Sequence, residues 1–226
     1  NGETLKLRHG EILNPDGTLY TTNLRKAKAE TVYYKGDSTE IYRPRFTYMG
    51  FRYVEMSGAE YVDGLLTAYA LYSDMERTGK FSCGNEKVQQ LYENQIWGQK
   101  SNYVEVPTDC PQRDERMGYT GDGHVFARTG AYNFDTRSFW RKFLADIRYS
   151  QHDNTEGYIP STAPTPSKEP QGIGFLSMLG WGNAVTLIPE MLYWQYGDES
   201  FMTEQYDSIK AFVDCECRKI AGTGLW

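Results

Sequence analysis

The chain has 226 residues, of which 39% are hydrophobic and 15% aromatic, and this excludes a disordered protein because it supplies enough apolar material for packed cores. The net charge of −6 provides no basic surface for phosphates, so we predict no nucleic-acid binding. No apolar run reaches the roughly eighteen residues of a membrane span, and the start lacks an apolar signal core. We therefore predict no membrane span and interpret the N-terminus as an internal cut.

The aromatic content favours a neutral polar ligand, because flat rings with polar edges are surfaces on which sugars stack. The four cysteines and three histidines are scattered without a CxxC pair or an HExxH motif. We predict no metal and no cofactor, and we interpret His124 as structural. The cysteine pattern leaves the cellular compartment open, and nothing in the sequence indicates the oligomeric state.

The first 80 residues are rich in β-branched and aromatic residues and are punctuated by turns such as "NPDG" at 14–17. The segments "FRYVEMSG" at 51–58 and "LLTAYALYS" at 65–73 predict strands. Together these patterns predict a β-sandwich over residues 1–80.

From residue 83 the periodicity becomes helical, and Asn85 is placed to begin the first helix. This change predicts a domain boundary near residue 80 and a helical region over 81–226. We expect about five helices there, three of them within residues 135–151, 178–197 and 198–222. Asp135 is the candidate cap of the helix over 135–151. The segment 152–177, with four prolines and three glycines, suits a loop over a binding site.

The segment beginning at Val104 concentrates carboxylates and arginines on a backbone rich in turns. It contains Asp109, Arg113, Asp114, Glu115, Arg116 and Asp122. Glycosidic hydrolysis requires two carboxyl groups, and a turn-rich backbone can direct several into one cleft while arginines fix their orientations. A solvated ion-pair network is the alternative interpretation of the same pattern.

The stretch "DCPQRDERMGYTGD" resembles the bacterial α-L-rhamnosidases, family 78 of the glycoside hydrolases, which carry a DCPQRDER-like segment followed by a GWTGD-like one. Three further segments resemble that family in the same order along the chain. They are "RHGEILNPDGTLYTTNLRKA", "RPRFTYMGFRYVEMSG" and "WGNAVTLIPEMLYWQYGD". The resemblance implies a mixed fold, a β-sandwich leading into an (α/α)6 toroid that is incomplete in this chain.

The resemblance also implies hydrolysis of terminal α-L-rhamnose from an oligosaccharide or glycoside in a bacterium, in the cytoplasm or outside it. Glu115 takes the position of the general acid, and Asp109, Arg113 and Asp122 are implied to face the rhamnose. A carboxyl beside an arginine loses protons more easily, whereas one buried beside rings keeps them. We interpret the arginines as partners of Asp109 or Asp114, which leaves Glu115 able to hold its proton.

Two aromatic positions complete the implied site. Tyr119 stands where the family usually has tryptophan, and Trp181 matches a ring-bearing position beside the sugar. The family inverts the anomeric centre with a glutamate base much later in the chain, which would lie beyond Trp226. The 226 residues alone are therefore expected to be inactive.

Asn183 replaces an aspartate that the family usually shows, and an amide cannot carry charge. A degenerate homologue that binds carbohydrate without turnover is therefore an alternative to the enzyme, and a purely structural fragment is a third hypothesis. An incomplete toroid should also leave apolar helix faces without partners. We expect such exposure for Leu187, Met191, Ile209 and Phe212.

Overall fold

The computed structural model describes residues 3–165, 178–222 and 224. The chain divides into two compact units. The sheet unit comprises Asn1–Leu71 and Cys110–Arg116, and the helical unit comprises Tyr72–Asp109 and Met117–Trp226. The charged stretch is therefore divided between the units: its central seven residues, Cys110–Arg116, belong to the sheet unit, and the segments on both sides belong to the helical unit.

Five strands lie in the described part of the sheet unit. Strands β1 (Thr4–Gly10), β4 (Glu30–Tyr34) and β5 (Tyr53–Ser57) make an antiparallel sheet in the order β4-β1-β5. Strands β2 (Ile12–Leu13) and β3 (Leu19–Tyr20) form a short antiparallel pair. The central strand β1 therefore has a hydrogen-bonded neighbour on each side.

Opposite charges face each other across this sheet. Arg8 on β1 lies opposite Glu30 on β4 and Glu55 on β5. Its Nε lies 3.5 Å from Glu30 Oε1, and its Nη1 lies 3.0 Å from Glu55 Oε1. Cross-strand pairs of opposite charge favour this register over a one-residue slip, which would move each charge to the other face.

The structure confirms two local predictions in the sheet unit and contradicts a third. The "NPDG" turn joins β2 to β3, with the Gly17 amide donating to the Asn14 carbonyl at 2.9 Å and Gly17 at a φ of 84°. The segment "FRYVEMSG" contains β5. The prediction of a strand at 65–73 is wrong, since no strand crosses that segment and Leu65, Tyr69 and Leu71 are exposed. Its aromatic and apolar composition fits a strand, but no described edge supplies the ladder partner that a strand requires.

Six helices and two short strands are described in the helical unit. The helices are α1 (Glu86–Asn102), α2 (Thr120–Asn133), α3 (Arg137–His152), α4 (Leu179–Gly182), α5 (Ala184–Tyr196) and α6 (Ser200–Ile220), and the strands are β6 (Tyr103–Val104) and β7 (Val106–Pro107). Helix α5 packs against α2 and α6, and α3 packs against α6. Within the described ranges these helices do not close into a ring, and the mixed fold class is confirmed.

Local capping explains where two of these helices begin. The Asn85 side chain accepts from the amides of Lys87 at 3.0 Å and Val88 at 3.2 Å, so the predicted start of α1 is confirmed. The residue that directly precedes α3 is Thr136 rather than Asp135. The Asp135 carboxylate nevertheless accepts from the Arg137 amide at 3.1 Å, so it satisfies an otherwise unpaired donor of the first turn.

The core of the helical unit is aromatic at its centre. Trp140 and Phe143 on α3 are fully buried and lie edge to face, with ring centroids 5.9 Å apart. The expected exposure of apolar faces is wrong for Met191 and Phe212, whose exposed fractions are 5% and 4%. Because α5 and α6 pack on each other and on neighbouring helices, these side chains find partners within the unit. Ile209 also packs against the core, whereas Leu187 is 39% exposed.

No helix in the described part of the chain combines the length and apolarity needed to cross a membrane.

Candidate active site

Glu115 lies within a cluster of basic and sulfur-containing side chains in the sheet unit. The Arg25 guanidinium pairs with Glu115 Oε1, and Arg113 Nε donates to Oε2 at 3.0 Å. The Cys110 thiol approaches Oε2 at 3.6 Å. The Glu115 side chain is 24% exposed, so the carboxylate is partly shielded from solvent, and each of its oxygens contacts an arginine.

Unusual backbone conformations direct two arginines in this unit. Arg25 ends a 3₁₀ turn at Thr22–Leu24 with a φ of 54°, and Arg116 has a φ of 53°. Non-glycine residues seldom adopt positive φ, because Cβ then crowds the backbone at a cost of about 1 kcal/mol. The Arg116 guanidinium donates to the Tyr48 carbonyl at 2.7 Å and lies over the Tyr48 ring. The segment that carries Glu115 is therefore fastened to the rest of the sheet unit.

The interpretation that the arginines pair with Asp109 or Asp114 and not with Glu115 is wrong for Arg113. Arg113 pairs with Glu115 itself, and Arg25 Nε lies 4.0 Å from Asp114 Oδ1 while its other nitrogen pairs with Glu115. Hydrogen bonding to Cys110, together with the Glu115 charge, raises the pKa of Arg113 above its ordinary value. The sequence could not reveal the pairing of Arg113 with Glu115, because it depends on how the backbone bends between the two residues. Both Glu115 oxygens therefore have a guanidinium partner.

The second part of the motif, from Met117 to Asp122, lies in the helical unit at the start of α2. Tyr119 precedes α2, and the Thr120 hydroxyl donates to the carbonyls of Pro160 and Ser161, each at 3.1 Å. The Ala163 amide donates to the Gly118 carbonyl at 2.9 Å. The described part of the predicted loop thus supports the beginning of α2, and its residues 166–177 lie outside the described structure.

Gly118 is required at this junction. A Cβ there would lie 2.4 Å from the Ala163 carbonyl oxygen and 2.9 Å from the Phe143 ring. Real Cβ atoms do not approach backbone oxygen so closely, so any side chain would push the strand-like contact at Ala163 away.

The same unit brings Asp122 and Trp181 to neighbouring positions. Asp122 is exposed in the first turn of α2, where a negative charge complements the helix dipole. Trp181 lies in α4, and its indole covers Gly121, the residue directly before Asp122. Asp109, which directly precedes Cys110, is half-buried. The helical unit therefore contains Asp109, Tyr119, Asp122 and Trp181, while Glu115 and Arg113 belong to the sheet unit.

Sequence reasoning missed Arg25 as a partner of Glu115. The two residues are 90 positions apart, so no periodicity or spacing connects them. The available signal was that Arg25 lies within "RHGEILNPDGTLYTTNLRKA", one of the segments that resemble the family. Cys110 was considered only for disulfide or metal patterns, although it lies inside the motif.

Two family models match the chain in succession. Residues 1–72 match the bacterial alpha-L-rhamnosidase concanavalin-like domain, and residues 76–226 match the bacterial alpha-L-rhamnosidase 6 hairpin glycosidase domain. A sheet domain followed by a helical-hairpin domain defines the class as a multidomain glycoside hydrolase. The chain belongs to the bacterial α-L-rhamnosidase family.

Individual relatives agree with this assignment. The chain is 41% identical over 221 residues to an alpha-L-rhamnosidase of Formosa agariphila, covering 94% of this chain and 23% of the relative. It is similar to the crystal structure of Streptomyces avermitilis alpha-L-rhamnosidase complexed with L-rhamnose, with a TM-score of 0.83, 38% identity, and coverage of 94% of this chain and 20% of that one. An alpha-L-rhamnosidase from Dictyoglumus thermophilum gives a TM-score of 0.86 at 37% identity, covering 98% of this chain and 25% of the other. The chain thus spans about a fifth to a quarter of the length of these relatives.

Proposed function

We propose that the full-length protein hydrolyses terminal non-reducing α-L-rhamnose from oligosaccharides or glycosides. The observation that carries this proposal is the ordered match of both family models across residues 1–72 and 76–226, which includes the whole charged motif. The Streptomyces avermitilis relative, which was crystallised with L-rhamnose, supports rhamnose as the sugar recognised here.

In the proposed mechanism Glu115 protonates the departing glycosidic oxygen. A second carboxylate activates water on the opposite face of the sugar, about 6.5 to 9.5 Å away as in other inverting enzymes. Arg113 donates hydrogen bonds to rhamnose hydroxyls, and Asp109 and Asp122 accept them. Tyr119 and Trp181 offer ring faces to the sugar.

The pairing of Glu115 with Arg25 and Arg113 defines a further requirement, because a general acid must begin the reaction protonated. Sugar hydroxyls that draw Arg113 away leave Glu115 with one guanidinium partner and a less polar neighbourhood. Both changes favour the protonated carboxyl. Substrate binding thereby prepares the acid.

Replacement of Glu115 by Gln in the full-length protein tests the acid. Hydrolysis of rhamnosides with poor leaving groups should fall by about 10²- to 10⁴-fold, since general acid catalysis typically contributes that factor. Aryl rhamnosides with good leaving groups should lose much less, because their oxygen needs little protonation. Glu60→Gln, an exposed substitution in the same unit, serves as the control and should leave both rates unchanged. Equal losses on both substrates would remove Glu115 from this role.

We place the general base outside residues 1–226. The purified 226-residue chain should therefore not hydrolyse rhamnosides, even where circular dichroism shows it to be folded and the full-length protein is active. Turnover by this chain, with termini verified by mass spectrometry, would show that both carboxyl groups lie within it.

A carbohydrate-binding homologue without turnover is the second candidate, and Asn183 favours it. Asn183 joins α4 to α5 beside Trp181 and brings an uncharged amide to a position where the family usually has aspartate. Calorimetry that detects rhamnose binding by a full-length protein with no hydrolysis of any rhamnoside would support this candidate over the enzyme.

A further inference from the structure

We propose that Gly121 and His124 on α2 are positioning residues that hold Trp181 as the ring face for the sugar. The inference rests on the proposed function, because it assigns a task to residues around the rhamnose site. It also explains two features of the first turn of α2 that the mechanism above does not use.

Gly121 supplies the space in which the indole lies. A Cβ at Gly121 would lie 2.7 Å from Cδ2, Cε2 and Nε1 of Trp181. Real Cβ contacts are essentially never shorter than 3.0 Å, so even an alanine must displace the ring. The indole is a rigid plane, and all three clashing atoms belong to it, so no rotation of a flexible end relieves the contact.

His124 fixes the backbone that carries the same ring. Its Nε2 lies 2.8 Å from the carbonyl oxygen of Gly180, the residue directly before Trp181. Because a carbonyl only accepts, the ring nitrogen donates, and the Nε2–H form of the imidazole is present. Helix α4 contains only four residues, so this bond holds a short element with few internal constraints.

The two contacts come from one face of one helix. Residues 121 and 124 are separated by three positions, which places both on the same side of α2. Asp122 lies between them in sequence and is exposed. A single rigid turn therefore sets the position of the Trp181 ring and carries the Asp122 carboxylate, so ring and acceptor are fixed relative to each other before substrate arrives.

Ring displacement has a specific kinetic consequence. A stacked ring contacts the sugar in both the ground state and the transition state, so its displacement removes uniform binding and raises KM with little change in kcat. We expect Gly121→Ala to raise KM for an aryl rhamnoside by about tenfold, which corresponds to a loss of about 1.4 kcal/mol of binding by the ring. His124→Ala should raise KM by a smaller factor, and His124→Gln should restore most of the loss because its amide N–H can donate to Gly180.

The deciding experiment is a double-mutant cycle in the full-length protein with Gly121→Ala, Trp181→Ala and the double variant. If Gly121 acts through Trp181, the double variant should have the KM of Trp181→Ala alone. Gly98→Ala is the matched control, because it makes the same change inside α1 where an added Cβ meets nothing within 4 Å. It should retain the wild-type KM.

Crystal structures of Gly121→Ala and His124→Ala in the full-length protein provide a readout that does not depend on activity. They should show the Trp181 indole displaced from its wild-type position. An unmoved indole, or KM effects of Gly121→Ala and Trp181→Ala that multiply in the double variant, would overturn the inference while leaving rhamnoside hydrolysis intact. A wild-type protein that hydrolyses no rhamnoside would contradict the proposed function, and the indole positions would still decide whether Gly121 and His124 hold Trp181.

Discussion

The two units of the chain differ in how they are stabilised. The helical unit buries a continuous apolar cluster that includes Tyr103, Trp140 and Phe212. In the sheet unit Ile41 and Phe46 are fully exposed. Helices satisfy their backbone hydrogen bonds internally and need only bury one face, whereas a three-stranded sheet has two faces and two open edges.

This difference extends to the candidate site residues. Trp181 is held by close packing on Gly121, inside the well-packed unit. Glu115 is held by ion pairs with Arg25 and Arg113 in the unit with the smaller core. Packing contacts are insensitive to salt, but exposed ion pairs are screened by it. We therefore expect added salt to weaken the contacts of Glu115 more than the packing of Trp181 on Gly121.

The largest expected effect is on the packed side of this comparison. Ile147 on α3 is fully buried in the helical core, so Ile147→Ala should lower the free energy of unfolding by about 2 to 5 kcal/mol. Hydrogen exchange followed by mass spectrometry in the full-length protein should show faster exchange in peptides from α3 and α6. Peptides from β1, β4 and β5 should not change. Faster exchange in all three strands would mean that the stability of the sheet unit also depends on the core of the helical unit, which would contradict the contrast between the two.

Several features determined by neighbouring residues were predicted correctly, although the pairing of Arg113 with Glu115 was not. The Asn85 cap, the "NPDG" turn and strand β5 each depend on side chains or backbone angles within a few positions. The order of sheet and helical regions was likewise visible, because the hydrophobic period changes after residue 83.

Features determined by distant contacts could not be predicted from residue patterns. One partner of Glu115 is Arg25, which ends a 3₁₀ turn in the sheet unit with a positive φ. The segment at 65–73 has strand composition but no described partner. Met191 is buried because α5 contacts three helices, α2, α3 and α6, which its own periodicity does not reveal. Each of these three features depends on which distant part of the chain packs against the segment concerned.

A smaller effect is expected at the start of α3. Asp135→Ala should cost about 1 kcal/mol of stability at neutral pH, since it removes an acceptor for the Arg137 amide. The hydrogen bond from the Arg137 guanidinium is the main reason that the pKa of Asp135 lies below its ordinary value of 3.8. The hydrogen bond from the Arg137 amide lowers the pKa further. Because the folded pKa is the lower one, this contribution is complete above pH 3.8 and is lost as the pH falls through the folded pKa.

Urea unfolding between neutral and acidic pH measures this dependence. The difference between wild type and Asp135→Ala should shrink as the pH falls below 3.8. Asp135→Asn is the matched control, because it keeps a capping oxygen without the charge. It should lose less than Asp135→Ala at neutral pH, and its own stability should vary less with acid. A difference that grows on acidification would contradict the assigned direction.

The smallest expected effect is at Ile41, which matches Ile147 in residue type but is 99% exposed in the sheet unit. Ile41→Ala removes the same atoms from a side chain that already contacts water, so the free energy of unfolding should change by no more than about 0.5 kcal/mol. The measurement is the urea midpoint of the full-length protein, with Ile147→Ala run beside it. A loss above about 1 kcal/mol would mean that Ile41 is buried by residues outside this chain, because only removal of packed methyl groups costs that much. The sheet unit would then resemble the helical unit in the full-length protein, and the contrast between the two would apply only to residues 1–226.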